Sequence, residues 1–251
     1  MKIRFLAGCV LAAALLALGG CMQLHSTTIV NKDGSGTVTM KISLSQSVAE
    51  ALKEMSELDP DSDQKMPDFS SIDRDEMEKA AKKHGVKITK FSKGDQDGHM
   101  ILDLGMEFKD LKGLSYVMDH AMGEGGNDGM GIFDAGDGNL VLRSTQYDFP
   151  TDEDEKSVEV ESEMPDTSDM DPAKMQKMME LTGKLMGAIS EMDVRLEITV
   201  PGDIVSSNAP QTEGRTSIWS INSSNMMTAG QNTEPEIVFS GKGLKIKPQT
   251  D

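Results

Sequence analysis

The chain has 251 residues, 42 acidic against 25 basic, for a formal net charge of −17, with only 4% aromatic residues and two cysteines. So negative a balance excludes nucleic acid and anionic lipid as electrostatically steered partners. With one pair of cysteines at most, stability must come from a packed core rather than a disulfide framework.

The first element is a short apolar run, Phe5 to Leu18, behind Lys2 and Arg4 and closed by Leu18-Gly19-Gly20-Cys21. A bilayer span needs about 20 apolar residues, so this run is too short to be retained in a membrane, and its flanks fit an export signal. The pattern reads as a lipoprotein signal peptide over 1–20, with Cys21 the residue that receives fatty chains such as palmitate and becomes the new N-terminus. The alternative is an ordinary cysteine behind a conventional cleavage site. Several acyl chains anchor far more firmly than one, since each buried methylene adds about 0.8 kcal/mol. Met22 rather than Asp after the cysteine favours the outer membrane if the cell is Gram-negative. Cleavage removes Lys2, Arg4 and no acid, which leaves 23 basic and 42 acidic residues, net −19, and Cys21 as the sole cysteine.

Residues 21–251 read as one α+β domain. Leu24 to Val30 and the alternating run Val38, Met40, Ile42, Leu44 flank Asn31-Lys32-Asp33-Gly34-Ser35-Gly36, a hairpin signature. Helical spacing follows at Val48, Leu52 and Met55, with Ser47 and Glu50 at capping-box distance. Asp73 and Glu76 cap a second helix carrying Met77, Ala80 and Ala81, which ends at Gly85; His84 at its end would favour partial positive charge. Val86 to Ser92 and Met100 to Phe108 form a second hairpin across Gly94-Asp95-Gln96-Asp97-Gly98. A third helix uses Leu111, Leu114, Val117, Met118 and Ala121.

Further on, Leu140 to Phe149 reads as a strand. Pro172 opens a helix reaching about Ser190, with Met175, Met178, Leu185 and Ile189 on its apolar side. The remaining strands are Asp193 to Val200, Thr216 to Ile221 and Ile237 to Ser240. Loops are expected near 59–71, 123–138 and 150–171, the last with ten acids in Thr151–Asp171, although Val158, Val160 and Met164 alternate there. The fold class expected is α+β, a predominantly antiparallel sheet of seven or more strands with three or four amphipathic helices.

Candidate chemistries are sparse. Asp128, Asp134, Asp137 and Asn139 offer oxygen ligands for Ca²⁺, but without EF-hand or nonapeptide spacing a solvated loop is the better account. Asn31, Asp33 and Ser35 mimic part of a calcium loop but lack the downstream glutamate, so a hairpin turn explains them better. Met175, Met178 and Met179 carry thioethers that suit Cu(I). The competing readings are core filling in a chain with 20 methionines and few aromatics, or an adaptable apolar groove. The histidines His25, His84, His99 and His120 are isolated, no nucleophile motif is present, and acidic pairs such as Asp152 and Glu153 arise by chance in so acidic a chain. No enzyme and no cofactor are expected.

The C-terminal third carries one familiar pattern: the strand Asp193 to Val200, then Pro201-Gly202-Asp203-Ile204-Val205, Ser207-Asn208-Ala209, Gly214, and a strand with Trp219. Pro201 and Gly202 turn the chain, Asn208 can accept a left-handed backbone, and Trp219 offers a large apolar surface to the core. Together with the lipobox and the Asp33-Gly34 turn, this resembles the LppM domain family of bacterial lipoproteins. The resemblance implies an α+β domain with an antiparallel sheet and an apolar cavity, binding lipid or glycolipid at the cell envelope without catalysis. Family members often carry a transmembrane segment after the domain, whereas Lys245-Ile246-Lys247-Pro248 is not an apolar run, and the central portion Asp59 to Met192 is longer and more acidic than the motif explains. The expected function is therefore a membrane-anchored, non-enzymatic envelope lipoprotein that binds a lipid or other apolar ligand. The alternatives are a structural or assembly role with an envelope protein partner, and copper handling.

Overall fold

A computed structural model describes residues 21–58, 72–122, 128–147, 172–189, 191–225 and 234–250. The signal segment 1–20 and the expected loops at 59–71 and 150–171 lie outside them. The fold is α+β, as expected, but its strands divide between two sheets. In chain order the elements are β1 (Met22–Val30), β2 (Gly36–Ser45), α1 (Gln46–Leu58), α2 (Arg74–Lys83), β3 (Val86–Gln96), β4 (His99–Phe108), α3 (Leu111–Met122), β5 (Asp128–Gly136) and β6 (Asn139–Gln146). There follow α4 (Pro172–Ile189), β7 (Met192–Thr199), β8 (Ile204–Ser207), β9 (Gln211–Glu213), β10 (Thr216–Asn222) and β11 (Glu236–Ser240).

Seven strands form the larger sheet in the order β3-β4-β2-β1-β7-β10-β9, and four form the smaller, β5-β6-β11-β8. All named strand pairs are antiparallel except β1 with β7, which run parallel in register from Met22 opposite Met192 to Ile29 opposite Thr199. Sequence separation is the reason: the whole middle of the chain lies between these two strands, so no hairpin dictates their direction.

The period-two pattern sorts the large sheet into two faces. One carries ion pairs, Lys87 with Glu107 at 3.3 Å, Lys90 with Asp103 at 3.2 Å and Arg195 with Glu197 at 2.6 Å. The other carries Ile42, Leu102, Leu104, Met106, Phe108, Ile198 and Val200, all buried, in line with the cross-strand registers. These pack with Ile132, Leu142, Ile237 and Phe239 of the small sheet and with Met77, Leu111, Leu114 and Val117 of α2 and α3 in a single apolar cluster. The Ser217 hydroxyl bonds Ser207 at 2.9 Å and so ties β10 to β8 across the sheets.

Gly36 sits where the inner face is tightest, since a Cβ there would overlap the Ile29 carbonyl oxygen and the Phe108 ring. A smaller cluster of Leu44, Val48 and Ala188, with Cys21, Met22, Ala49, Leu52, Met100 and Leu185 against it, lies at the opposite end of β1 and β2. There α1 pairs with α4, held also by Lys177 to Glu54 at 2.8 Å.

Several local expectations are corrected. The segment from Gly123 to Gly138, read as a loop, contains β5 over Asp128–Gly136; its glycines obscured an alternation that the pairing with β6 supplies. The caps differ too: α1 is capped by Ser45, whose hydroxyl accepts from Val48 N at 3.4 Å, and not by Ser47. Asp73 caps α2 as expected, accepting from Asp75 N and Glu76 N at 2.8 and 3.0 Å. Asn208 does not adopt a left-handed backbone, a conformation that only Asp97 and Asp137 show among described non-glycine residues. Its amide instead clamps two strand ends, donating to Glu234 O at 2.7 Å and accepting from Glu236 N at 3.0 Å. The β3–β4 turn shrinks to Asp97-Gly98, both at positive φ, so the strands run to Gln96 and resume at His99 as a two-residue turn of this kind requires.

Candidate functional site

Cys21 is built into the fold. Its carbonyl accepts from Ser45 N at 2.8 Å, its Sγ donates to Glu191 Oε2 at 3.1 Å, and β1 begins at the next residue. The Glu191 hydrogen bond, with burial, pushes the Cys21 thiol up. A protonated sulfur donating to a carboxylate is a poor nucleophile. The Cys21 end of the large sheet therefore gathers the start of β1, the end of β2, the start of β7 and the last turn of α4, because Glu191 N bonds Ala188 O at 3.0 Å.

From this end a strip of apolar side chains runs up the inner face of β1, β7 and β10. Register places Leu24 opposite Val194 and Ile221 opposite Val194 from the other side, while Leu196 lies between Ser26 and Trp219. Leu24, Val194, Leu196 and Ile221 are only half-buried, whereas Ile42, Leu102 and Leu104 at the same levels of β2 and β4 are buried. Position explains the contrast. Helices α2 and α3 pack over the β3 and β4 side, while β7 and β10 have their principal contacts with sheet neighbours. Partly covered aliphatic side chains in the middle of a sheet face are what an apolar ligand can cover.

Trp219 borders this strip. It is 7% exposed, and its Nε1 is buried without a hydrogen-bond partner among the described residues. A buried donor left unpaired costs about 1–3 kcal/mol. The sequence indicated Trp219 as core; its unpaired nitrogen depends on the packing around it.

The other sequence candidates separate. Asp134, Asp137 and Asn139 sit at the β5–β6 turn, where Asp134 Oδ1 accepts from Gly136 N at 2.9 Å. Asp128 lies at the far end of the same strand, roughly 20 Å away at the strand rise. Asn31, Asp33 and Ser35 form the expected hairpin turn: Ser35 donates to Asp33 Oδ1 through N at 3.1 Å and Oγ at 2.7 Å, and those bonds hold the Asp33 carboxyl below the usual carboxylate range. Helix α4 divides the methionine trio, since Met178 is half-buried while Met175 and Met179 are exposed.

His84 does end α2, bonding Ala81 O, but burial and the neighbouring Lys83 push its imidazole pKa down, and it stacks on Tyr116 with ring centroids 3.6 Å apart. The expected advantage of positive charge at that helix end is outweighed. His25 faces the polar side of the sheet, 3.1 Å from Asp193. Among the described residues, no helix is long and apolar enough to cross a membrane.

No protein-family model matches the chain, and no curated protein matches its sequence. Among solved structures, the folded domain of the LppM protein of Mycobacterium tuberculosis, determined by NMR, aligns with a TM-score of 0.42 and 12% identity, over 88% of this chain and 91% of that one.

Proposed function

We propose that the protein is a bacterial envelope lipoprotein, anchored through acylated Cys21, whose domain binds a lipid or similar apolar ligand without catalysis. The carrying observation is the strip of half-buried Leu24, Val194, Leu196 and Ile221 beside the unpaired Trp219 Nε1. Covering those side chains with an acyl chain gains about 0.8 kcal/mol per buried methylene. Among the described side chains, His25, His84, His99 and Cys21 lie apart in pairings of their own and offer no support for a catalytic role.

Trp219 is the sole tryptophan, so it reports on its own site. Titrating the mature protein with phospholipid carrying brominated chains should quench its emission, and organic extraction of the purified protein should release lipid. Unchanged emission together with an empty extract would refute the binding reading. Leu196→Asp should abolish the quenching while leaving the circular dichroism of the sheet intact.

A protein-binding reading has one observation of its own. β8 is an edge strand of the small sheet and Val205 on it is exposed, a place where a partner strand could add. Val205→Lys would weaken such a complex and leave lipid uptake unchanged.

A further inference from the structure

Helix α4 presents an apolar face that the fold does not use. At about 100° per residue, Met175, Met179 and Met186 fall within about 40° of arc, and they are 40%, 71% and 63% exposed. The opposite side of the helix is the packed one: Leu181 and Ala188 are buried, Leu185 joins the cluster that includes Cys21, and Lys177 reaches Glu54 on α1. The methionine face is therefore surplus to holding α4 in place. Three long thioether side chains in a row suit a soft, irregular apolar surface.

The place of this helix says which surface. Cys21 immediately precedes β1 and its carbonyl accepts from Ser45 N, a bond that acylation of the sulfur leaves intact, so the tether between acyl chains and folded domain has essentially no length. The last turn of α4 comes to the same end of the sheet, since Ala188 is buried in the cluster against which Leu185 and Cys21 both pack. Met186 therefore lies in sequence between Leu185 and Ala188, both part of the cluster on which Cys21 packs, and the stripe runs about 16 Å from there along the helix at its ordinary rise. The helix pair α1–α4 touches the large sheet mainly at β2 and β4, near the same end. A domain held this close to a bilayer cannot turn this end away from it.

We infer that the Met175–Met179–Met186 face of α4 docks on the bilayer that holds the Cys21 acyl chains, which orients the domain with its Cys21 end toward the lipid. The inference rests on the reading that Cys21 is acylated. It also gives the apolar strip a direction, since Met22, Met192, Leu24 and Val194 then lie at the lipid side of the sheet and Trp219 further from it. The contact is apolar in origin: the described α4 lysines with ion pairs are already neutralised, Lys177 by Glu54 at 2.8 Å and Lys184 by Glu180 at 3.0 Å, and the chain is strongly acidic. Amphipathic helices lie in the interface in this manner when one face is apolar.

The test uses the full acylated protein, its Cys21 modification verified by mass, reconstituted into phosphatidylcholine vesicles containing brominated lipid. Because acylation occupies the thiol of Cys21, a single introduced cysteine can take a fluorophore: Met186→Cys and Met179→Cys for the stripe, Val205→Cys on the distal small sheet as reference. Quenching several-fold stronger at 186 and 179 than at 205, and unchanged by high salt, is the result expected, since apolar contacts are not screened. Equal, weak quenching at all three positions in verified acylated protein overturns the docking and leaves the anchor standing. A mass showing Cys21 unmodified overturns the anchor and the docking with it. Because an introduced cysteine can disturb its own neighbourhood, a second variant, Met179→Gln with Met186→Gln labelled at Met175→Cys, must lose quenching relative to Met175→Cys alone. Retained quenching there removes the methionine face as the docking element.

Discussion

At the residue scale, His84 shows how burial outweighs a favourable backbone dipole. Its folded pKa is depressed by desolvation first and by Lys83 second, so the unfolded chain takes up the proton at higher pH than the folded one. Stability from this group is complete above about pH 6.5, the ordinary imidazole value, and is lost as pH falls through the folded value. NMR titration of His84 should give a midpoint below that of an exposed histidine, and His84→Gln should flatten the acid limb of the stability profile; a midpoint at or above the ordinary value would refute this. Asp73 carries a simpler argument. Its carboxylate satisfies two N–H groups of the first turn of α2, so Asp73→Ala should cost about 1 kcal/mol, measurable by urea denaturation. Gly36→Ala should cost about 1–3 kcal/mol, because the added methyl meets a carbonyl oxygen and an aromatic ring within a packed core.

Elements differ in how firmly they are held. β2 and β4 belong to the large cluster, while α1 and α4 rest on the small cluster of Leu44, Val48 and Ala188. Amides of α1 and α4 should therefore exchange with solvent well before those of β2 and β4, and comparable protection would contradict a separate satellite. Membrane contact in the acylated protein should slow exchange on α4 in particular. The elements legible in the sequence were those with a clean period. The alternation of β2, β4 and β7, the strand before the first Asp-Gly turn, the spacing of α2 and α3, and the Pro172 start of α4 all appear where their patterns place them. β5 was hidden by Gly129, Gly131 and Gly136, which carry no side chain to alternate, and β8 and β9 are too short to show a period.

For the whole molecule, the decisive feature is that both sheets share one apolar cluster, with Ser217 to Ser207 bridging them. The C-terminal segment adds to this, since Lys245 N bonds Lys32 O at 2.7 Å beside the first hairpin and Gln249 N bonds Ile132 O at 2.8 Å on β5. The two sheets should consequently unfold in a single cooperative transition by calorimetry. Two resolved transitions would mean the shared cluster is not a common core. Ile198→Ala at its centre, a fully buried position, should cost about 2–5 kcal/mol and lower that one transition.

By itself the chain determined what local chemistry can encode: the α+β class, the hairpins with Asp-Gly turns, and the sides that most strands and helices bury. These depend on residues within a few positions of each other. The parallel pairing of β1 with β7, the division into two sheets, the partly covered strip beside Trp219 and the packing of the last turn of α4 at the Cys21 end of the sheet were decided only by tertiary structure. Each depends on which distant segments come together, and segments separated by more than a hundred residues leave no periodicity in the sequence to read.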